Sequence, residues 1–334
     1  MVDQRKVKLS EAPNATLDDL IHDIRIVWAK KDAQRTIYDT LLHTVNHASK
    51  LGEQVRRGEY KGVLDELGDT VMWFLTLVGK LQQPVEHRSK TNPEALLFYT
   101  PLALTDIVWN KYPYVCPACF LRLSKENKEG EAWQRKCDCL LSIKIVEERT
   151  EEEKAETEKA LREFTEEHKD DKVESLADLE KMFASLYAAN YENLPLESIA
   201  FHLLEEVGEV SDALIRLYSY NISKTPDPAQ IYNSRQAHLE SEIADVVSWI
   251  FAVSIKVKLL FQVYDKLPRE VGLGPFETAS TPRATRINLE NILWSRYGDR
   301  NTELLYCPSC FQAQCKCKLR FYKTEKATKS LLIK

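Results

Sequence analysis

The sequence predicts an all-α protein built from two tandem four-helix units, each followed by a small zinc-knuckle appendage. Three observations predict this architecture. Apolar residues recur at three-and-four spacing over long stretches, only ten glycines occur in 334 residues, and similar segments return in the same order along the chain. We therefore expect two copies of one helical unit.

The composition is that of an ordinary globular protein, with 44% hydrophobic and 29% charged residues. A formal net charge of −5 argues against a protein whose main task is to bind a polyanion. The first 20 residues lack the apolar core of a signal peptide, and we identify no run of about 18 apolar residues that could cross a bilayer. These features predict a soluble, cytoplasmic protein without a membrane partner.

The first unit is expected over residues 1–112. A short helix at TLDDLIHDIRIVW is followed by two longer helices and a fourth that ends in Trp109-x-Lys111-Tyr112. The predicted helices cover residues 16–28, 37–51, 63–81 and 107–112. A first zinc module is expected at residues 113–146.

The second unit, residues 175–298, repeats this order. Its predicted helices cover residues 175–187, 199–213, 238–259 and 292–298, and the last again carries the pattern Trp-x-Arg-Tyr. The segment between the first zinc module and the second unit, residues 147–174, holds 13 acidic and six basic residues and almost no apolar ones, which predicts a solvated helix or a linker. A second zinc module and a basic tail are expected at residues 299–334.

All eight cysteines lie in the two modules. They are Cys116, Cys119, Cys137 and Cys139, then Cys307, Cys310, Cys315 and Cys317. Each module has the pattern Cys-Pro-x-Cys-Phe, a loop and Cys-x-Cys, and four thiolates in this arrangement can close a tetrahedral, structural zinc site. A disulfide pair in each module is the alternative. We favour two zinc ions because the cytosol keeps thiols reduced.

Acidic residues crowd one face of the predicted second helix of the second unit. In HLLEEVGEVSDALIRL, the side chains of Glu205, Glu206 and Glu209 share a face at 100° per residue, opposite an apolar face. Glu242 and Asp245 are one turn apart on the third helix. If the two helices pack antiparallel, Glu206, Glu209, Glu242 and Asp245 converge, and such a cluster favours a hard divalent cation, Mg²⁺ or Mn²⁺.

The same surfaces offer candidate substrate contacts. Trp249 and Lys256 continue the acidic stripe along the third helix, and Arg216 lies on the acidic face of the second. An aromatic ring suits a nucleobase and a cation suits a phosphate. The alternative is that Trp249 belongs to the core and that Lys256 is solvated.

At these residues the chain resembles a known family. EEVGEV followed by ESEIADVV is similar to the Glu-Glu-x-x-Glu and Glu-x-x-Asp signature of the MazG-like all-α nucleoside triphosphate pyrophosphohydrolases, and Lys111-Tyr112-Pro113 is similar to the end of their fourth helix. The resemblance implies hydrolysis of a nucleoside or deoxynucleoside triphosphate to the monophosphate and pyrophosphate. It also implies magnesium ligands at Glu206, Glu209, Glu242 and Asp245, with Glu205 as the acid that polarises water.

The first unit keeps only part of this set. Glu66 and Asp69 match the third-helix acids, but His43, Thr44 and His47 stand where the second unit has Glu205, Glu206 and Glu209. We therefore expect a degenerate unit that replaces one subunit of the family's dimer, which makes the chain an intramolecular pseudo-dimer. A further homodimer of the whole chain stays open.

Two readings of the first unit's polar residues are open. His47, Glu66 and Asp69, with His43, either form a second site for a softer metal such as zinc or manganese, or are simply solvated. Lys30, Lys31 and Arg35 either are surface charges or reach phosphates across the interface between the units.

Two rival functional classes accompany the enzyme hypothesis. A nucleotide sensor or zinc-stabilised scaffold would keep the metal ligands without turnover. Nucleic-acid binding through the zinc modules is suggested by residues 316–334, which hold seven cations, one acid and the aromatic residues Phe321 and Tyr322. The complete set of acids in the second unit favours turnover, and the acidic total disfavours nucleic acid.

Overall fold

A computed structural model describes residues 15–82, 103–118, 137, 150–218, 227–266, 287–299, 304–305 and 307. Within these ranges the protein is predominantly helical, which confirms the predicted all-α character. The helices are α1 (Leu17–Asp32), α2 (Ile37–Arg57), α3 (Tyr60–Leu81), α4 (Leu104–Lys111), α5 (Glu151–Glu167), α6 (Leu176–Leu186), α7 (Ala188–Asn193), α8 (Leu196–Tyr218), α9 (Pro228–Lys266) and α10 (Leu289–Tyr297). A 3₁₀ turn at Lys169–Asp171 and two short antiparallel strands, β1 (Gly298–Asp299) and β2 (Leu304–Leu305), complete the described structure.

Several predicted features lie outside the described residues. They are Cys119, Cys139, Cys310, Cys315, Cys317 and the basic tail at 316–334. The connection between α8 and α9, residues 219–226, is also not described. The expected domain boundaries stay predictions.

Local sequence signals fix where the helices of the first unit begin. Thr16 and Thr36 precede α1 and α2, and each hydroxyl accepts a hydrogen bond from the backbone N–H three residues later, at 3.0 Å. The carboxylates of Asp19 and Asp39 bond back to the threonine backbone N–H groups, which completes a capping box at each helix. At the other end of α2, Gly58 has φ +69°, a left-handed conformation that glycine adopts without strain.

Long helix pairs form the core. α2 packs along α3, α8 packs along α9, and α2 also packs against α8, so one hydrophobic core runs through both units. The apolar face predicted for the second helix of the second unit is buried, with Leu203 and Leu214 fully inaccessible. Burial of this face turns the acidic face of α8 away from the core.

Helix α9 contains a long apolar stretch. Contrary to the sequence-based expectation, the span Pro228–Val263 contains an 18-residue window with a mean hydropathy of 1.7, enough by length and composition for a membrane crossing. Of this window, 67% is buried inside the protein. Packing in the core therefore accounts for its apolar character.

The fourth helices cross between the units. α4, from the first unit, packs on α9 of the second, and α10, from the second unit, packs on α3 of the first. The chain segments before α1 and α6 also meet, because Leu176 N–H donates to the carbonyl of Ala15 at 2.9 Å. The end of α4 is thereby placed beside the acidic face of the second unit.

The charged segment between the units is helical. Residues Glu151–Glu167 form α5, one of the two forms predicted for this segment, and α5 packs against α4. After it, Lys172 makes ion pairs with Asp106 of α4 and, at 3.3 Å, with Glu174.

Candidate functional site

Three of the predicted metal ligands converge between α8 and α9. Glu206 and Glu209 are one turn apart on α8, and Glu242 comes from α9. One carboxylate oxygen from each lies within 4.8 Å of the other two. A divalent cation that binds oxygens at about 2.1–2.5 Å can therefore reach all three. We call these residues the acidic cluster.

Burial and mutual repulsion perturb the acidic cluster. The pKa of Glu206 is raised to about 8, first by burial and then by the charges of Asp245 and Glu209. The pKa of Glu242, whose residue surface is only 7% exposed, is raised to about 7 by burial, a hydrogen bond with Glu209 and the charge of Asp245. A nearby cation would favour the charged forms and reverse both shifts.

The two oxygens of Glu206 have different surroundings. Oε1 accepts a hydrogen bond from the indole N–H of Trp249 at 3.2 Å. Oε2 is buried and has no hydrogen-bond partner among the described residues. Buried carboxylate oxygens normally accept a hydrogen bond or bind a cation. The surroundings of Oε2 therefore suit a partner that is not part of the protein chain.

Asp245, the fourth predicted ligand, is engaged from the first unit. Its two oxygens accept hydrogen bonds from the Lys111 ammonium and the Tyr112 hydroxyl at the end of α4. Lys111 also donates to the Ser241 hydroxyl at 2.7 Å. Asp245 is close enough to raise the pKa of Glu206, but it does not join the three converging oxygens.

The structure places Trp249 in the wall of the acidic cluster. Only 8% of its residue surface is exposed, which agrees with the alternative prediction that Trp249 belongs to the core. Its ring nevertheless stacks on His202 with centroids 4.6 Å apart, and its N–H meets Glu206. Trp249 is therefore a core residue with one polar contact at the cluster.

Lys256 lies away from the acidic cluster. Its side chain is buried, and its ammonium donates to the backbone carbonyl of Tyr191 at 2.7 Å. A cation suits this position because the last carbonyls of α7 lack helical partners. Both predictions for Lys256, a phosphate contact and a solvated side chain, are therefore wrong. The helical spacing shows which face of α9 the residue occupies, but not how deeply that part of the face is buried.

Glu205 and Arg216 lie on the exposed side of α8. Glu205 is 3.1 Å from His202 Nδ1, and the carboxylate therefore stands at the rim of the cluster. Arg216, about three turns beyond Glu205 on the same helix, donates to Asp212 at 2.6 Å. The structure keeps Glu205 beside the cluster and does not bring Arg216 to it.

The first unit contains a related cluster, formed by His47, Glu66 and Asp69. Their ligand atoms lie within 4.8 Å of one another, so the residues predicted for a second site do come together. His47 Nδ1 is 2.8 Å from Glu66 and 3.6 Å from Asp69. We call this group the histidine cluster.

Asp69 is held by the second unit in the way that Asp245 is held by the first. Arg296 of α10 donates two hydrogen bonds to Asp69, both at 3.0 Å, and the Tyr297 hydroxyl donates a third. Sequence reasoning identified the repeated Trp-x-Lys/Arg-Tyr ending but not its partner. The signal was present, because the Asp of the third helix repeats in the same register.

A cavity of about 240 Å³ adjoins Asp69 in the first unit. It is lined by Trp28, Lys31, Asp32, Arg35, Asp69, Met72, Trp73, Thr76, Arg296, Tyr297 and Cys307. The Arg35 guanidinium sits 4.6 Å from the centre of the Trp73 ring, which also stacks on His43 at 4.1 Å. Lys31 and Arg35 are thus cavity residues, and we call this space the first-unit cavity.

Two cysteines of the first module meet in the interior. Cys116 and Cys137 are each 1% exposed, and their Sγ atoms lie 3.4 Å apart, well beyond a disulfide bond of about 2.05 Å. Two thiolates on one tetrahedral zinc ion are separated by about 3.8 Å. The Tyr187 hydroxyl approaches Cys116 Sγ at 3.8 Å, which places the module against the second unit. Cys307 of the second module is buried in the wall of the first-unit cavity.

No protein-family model, curated protein or solved structure matches this chain. The resemblance to MazG-like pyrophosphohydrolases therefore rests on the motifs quoted above and stays a hypothesis.

Proposed function

We propose that the chain is a nucleoside triphosphate pyrophosphohydrolase that depends on Mg²⁺ or Mn²⁺ and has its active site in the second unit. Two observations carry the proposal: Glu206, Glu209 and Glu242 converge, and the buried Oε2 of Glu206 has no hydrogen-bond partner among the described residues. The motif resemblance supplies the reaction class, conversion of a nucleoside or deoxynucleoside triphosphate to the monophosphate and pyrophosphate.

The donor set fits a hard cation. Carboxylate oxygens are the ligands that Mg²⁺ prefers, and the raised pKa values of Glu206 and Glu242 indicate a cluster that is under-neutralised by the protein alone. When bound, the ion would neutralise phosphate charge and lower the pKa of a coordinated water.

Neighbouring side chains have separate roles in this proposal. Glu205, at the exposed rim, is placed to accept a proton from water. The Trp249 indole N–H fixes one oxygen of Glu206, which leaves the other oxygen for the ion. Lys111 and Tyr112 hold Asp245 at the edge of the cluster.

We further propose that the two units form an intramolecular pseudo-dimer. Two observations support it: the fourth helices cross reciprocally between the units, and the pairs at Asp69 and Asp245 correspond. On this view the second unit carries the complete acidic set, and the first unit, with His43, Thr44 and His47, completes the active site through α4.

Each module is proposed to bind one structural zinc ion through its four cysteines. The buried approach of Cys116 and Cys137 supports the first site. Because Tyr187 of the second unit contacts Cys116, the first zinc ion would also tie α4 to α6 and α7. The second zinc ion is proposed on Cys307 and its three partners, which lie outside the described residues.

A nucleotide sensor without turnover is the second candidate. The observation that favours it is the engagement of Asp245 by Lys111 and Tyr112, since this removes one expected ligand from the ion. Under this hypothesis the acidic cluster binds a nucleotide with its cation but does not position water for attack.

A pyrophosphate-release screen separates the two candidates. The wild type is incubated with canonical and modified nucleoside triphosphates in Mg²⁺ or Mn²⁺, beside Glu209→Gln and the control Glu197→Gln, an exposed residue on the same helix. We expect release by the wild type and by Glu197→Gln, and at least about 100-fold less by Glu209→Gln. Equal release by both variants would show that the site is misassigned, and cation-dependent binding without release would support the sensor.

A further inference from the structure

The first-unit cavity has the features of a ligand site that is separate from the acidic cluster. We propose that it binds a nucleoside monophosphate through side-chain cations, without a divalent metal ion. The proposal does not depend on turnover in the second unit, because none of the residues that carry it belongs to the acidic cluster.

Aromatic rings form two parts of the wall. Trp28 and Trp73 are both half-buried, and Trp28 packs edge-on against Tyr297 with centroids 5.7 Å apart. Arg35 lies over the Trp73 ring at 4.6 Å. Indole rings with an adjacent guanidinium provide flat surfaces on which a nucleobase can stack.

The charge balance of the cavity favours an anion. Lys31, Arg35 and Arg296 face two carboxylates, and Asp69 is already neutralised by its two hydrogen bonds from Arg296. Arg35 Nη1 is 3.8 Å from Asp32 Oδ1, a loose ion pair that a phosphate group could replace. Guanidinium and ammonium groups make strong, charge-assisted hydrogen bonds with phosphate.

Asp32 has a buried oxygen, Oδ1, that is ion-paired with Arg35 but accepts no hydrogen bond from the described residues. Its residue surface is 7% exposed, and it lines the cavity. A buried carboxylate oxygen calls for an N–H or O–H donor. The amino or imino groups of a nucleobase, or a ribose hydroxyl, supply such a donor. Inorganic phosphate has neither these groups nor a ring that could stack on the indoles.

The first unit lacks the acidic set on which the cation-dependent mode of the second unit depends. Thr44, at the position of Glu206, is fully buried and donates to the carbonyl of Thr40 at 3.1 Å, so it offers no carboxylate. The volume also matters. Pockets for drug-sized ligands span about 300–1,000 Å³, so about 240 Å³ suits one base and one phosphate better than a triphosphate.

Calorimetric titration of the full chain in buffer without added divalent cation tests the proposal. AMP, GMP, CMP and UMP are titrated separately, beside the four nucleosides and inorganic phosphate. We expect at least one monophosphate to bind at least tenfold more tightly than its nucleoside and than inorganic phosphate. Absence of binding by all four monophosphates would overturn the proposal.

Variants locate the ligand. The double variant Lys31→Ala/Arg35→Ala is expected to raise the Kd of the nucleotide at least tenfold. The control Lys30→Ala, at an exposed neighbouring position, is expected to leave the Kd unchanged. Asp32→Asn is expected to weaken binding of the nucleotide but not of inorganic phosphate. If the double variant unfolds, Arg35→Lys, which keeps the charge but loses the stacked fork, replaces it and is expected to weaken binding.

The contrary result is equally specific. Unchanged affinity in the cavity variants, or loss of binding in Glu206→Gln, would place the nucleotide in the second unit and overturn this inference. Pyrophosphate release is scored separately with Mg²⁺ or Mn²⁺, so that failure of the cavity proposal and failure of the proposed enzyme activity give different results.

Discussion

The ammonium of Lys111, on the last turn of α4 in the first unit, is hydrogen-bonded to the carboxylate of Asp245 on α9 in the second unit. Arg296 and Asp69 repeat this relationship in the opposite direction. Each unit therefore contributes a cation to the acid of the other. The pair is only partly solvated, with 21% of the Lys111 side chain and 17% of the Asp245 side chain exposed, so its loss has a cost.

Replacement of Lys111 by Met is predicted to destabilise the protein. The change leaves a partly buried Asp245 carboxylate without its main countercharge, and we expect the free energy of unfolding to fall by about 2 kcal/mol. Urea denaturation measures the change, with Lys61→Met at an exposed position of α3 as the control. In the double variant Lys111→Met/Asp245→Asn we expect a smaller loss than in Lys111→Met alone, and an equal or larger loss would show that the two residues are not coupled.

The same variant is predicted to bind divalent cations more tightly. Without the Lys111 ammonium, Asp245 becomes a fourth acidic group for an ion at the acidic cluster, and repulsion between the ion and the lysine disappears. We expect a gain of about three- to tenfold in Mn²⁺ affinity by calorimetry, since one close charge contact is worth about 1 kcal/mol in a partly solvated site. Unchanged or weaker Mn²⁺ affinity would show that Lys111 does not compete with the ion.

Stability is predicted to depend on the protonation of Glu206. The folded pKa of about 8 exceeds the ordinary value of 4.5, so the folded state binds this proton more tightly than the unfolded state. The stabilising effect of protonation is therefore complete below about pH 4.5 and is lost as the pH rises towards 8. Because Glu206 is partly solvated, we expect the free energy of unfolding to fall by about 2 kcal/mol over this range, which is less than the full pKa shift would give.

Urea denaturation at pH 5, 6.5 and 8 without divalent cation measures this effect. The loss between pH 5 and pH 8 is expected to be smaller in Glu206→Gln, which keeps the shape of the side chain without the titration. Identical pH dependence in the two proteins would show that Glu206 does not titrate in this range. Added Mg²⁺ is expected to flatten the wild-type dependence, because the ion favours the ionised cluster.

Cys137→Ser is predicted to remove one of two zinc ions. The Cys137 thiol lies 3.4 Å from Cys116 in a buried setting, and a serine hydroxyl is a poor zinc ligand there. Metal analysis is expected to give about two zinc atoms per wild-type chain and about one per variant chain. Because the first module contacts Tyr187, thermal unfolding of the variant is expected to begin at a lower temperature. A full zinc content in the variant would contradict the assignment.

Local periodicity made the helices and one side of the site predictable. The 3.6-residue repeat places Glu206 and Glu209 on the face opposite Leu203 and Leu214, and burial of the leucines in the core then fixes where the acids point. Third-helix register likewise predicted Glu242. The positions of these three acids depend only on the helix that carries each of them and on the helix packed against it.

Contacts between distant segments were not predictable in the same way. Lys256 shares a stripe with Glu242, but its distance from the surface depends on where α7 ends, and its ammonium binds the carbonyl of Tyr191 instead of facing the cluster. The link from Lys111 to Asp245 spans 134 positions and depends on the crossing of the fourth helices. Periodicity carries no information about such crossings.

Manganese binding, counted by electron paramagnetic resonance, tests the central claim most directly. Free Mn²⁺ is titrated into the wild type, into Glu206→Gln and Glu242→Gln in the acidic cluster, and into His47→Ala in the histidine cluster. We predict a Mn²⁺ site that is lost in both acidic-cluster variants and retained in His47→Ala. Full retention of every bound Mn²⁺ in Glu206→Gln, or no bound Mn²⁺ in the wild type, would contradict the claim that α8 and α9 together form a divalent cation site.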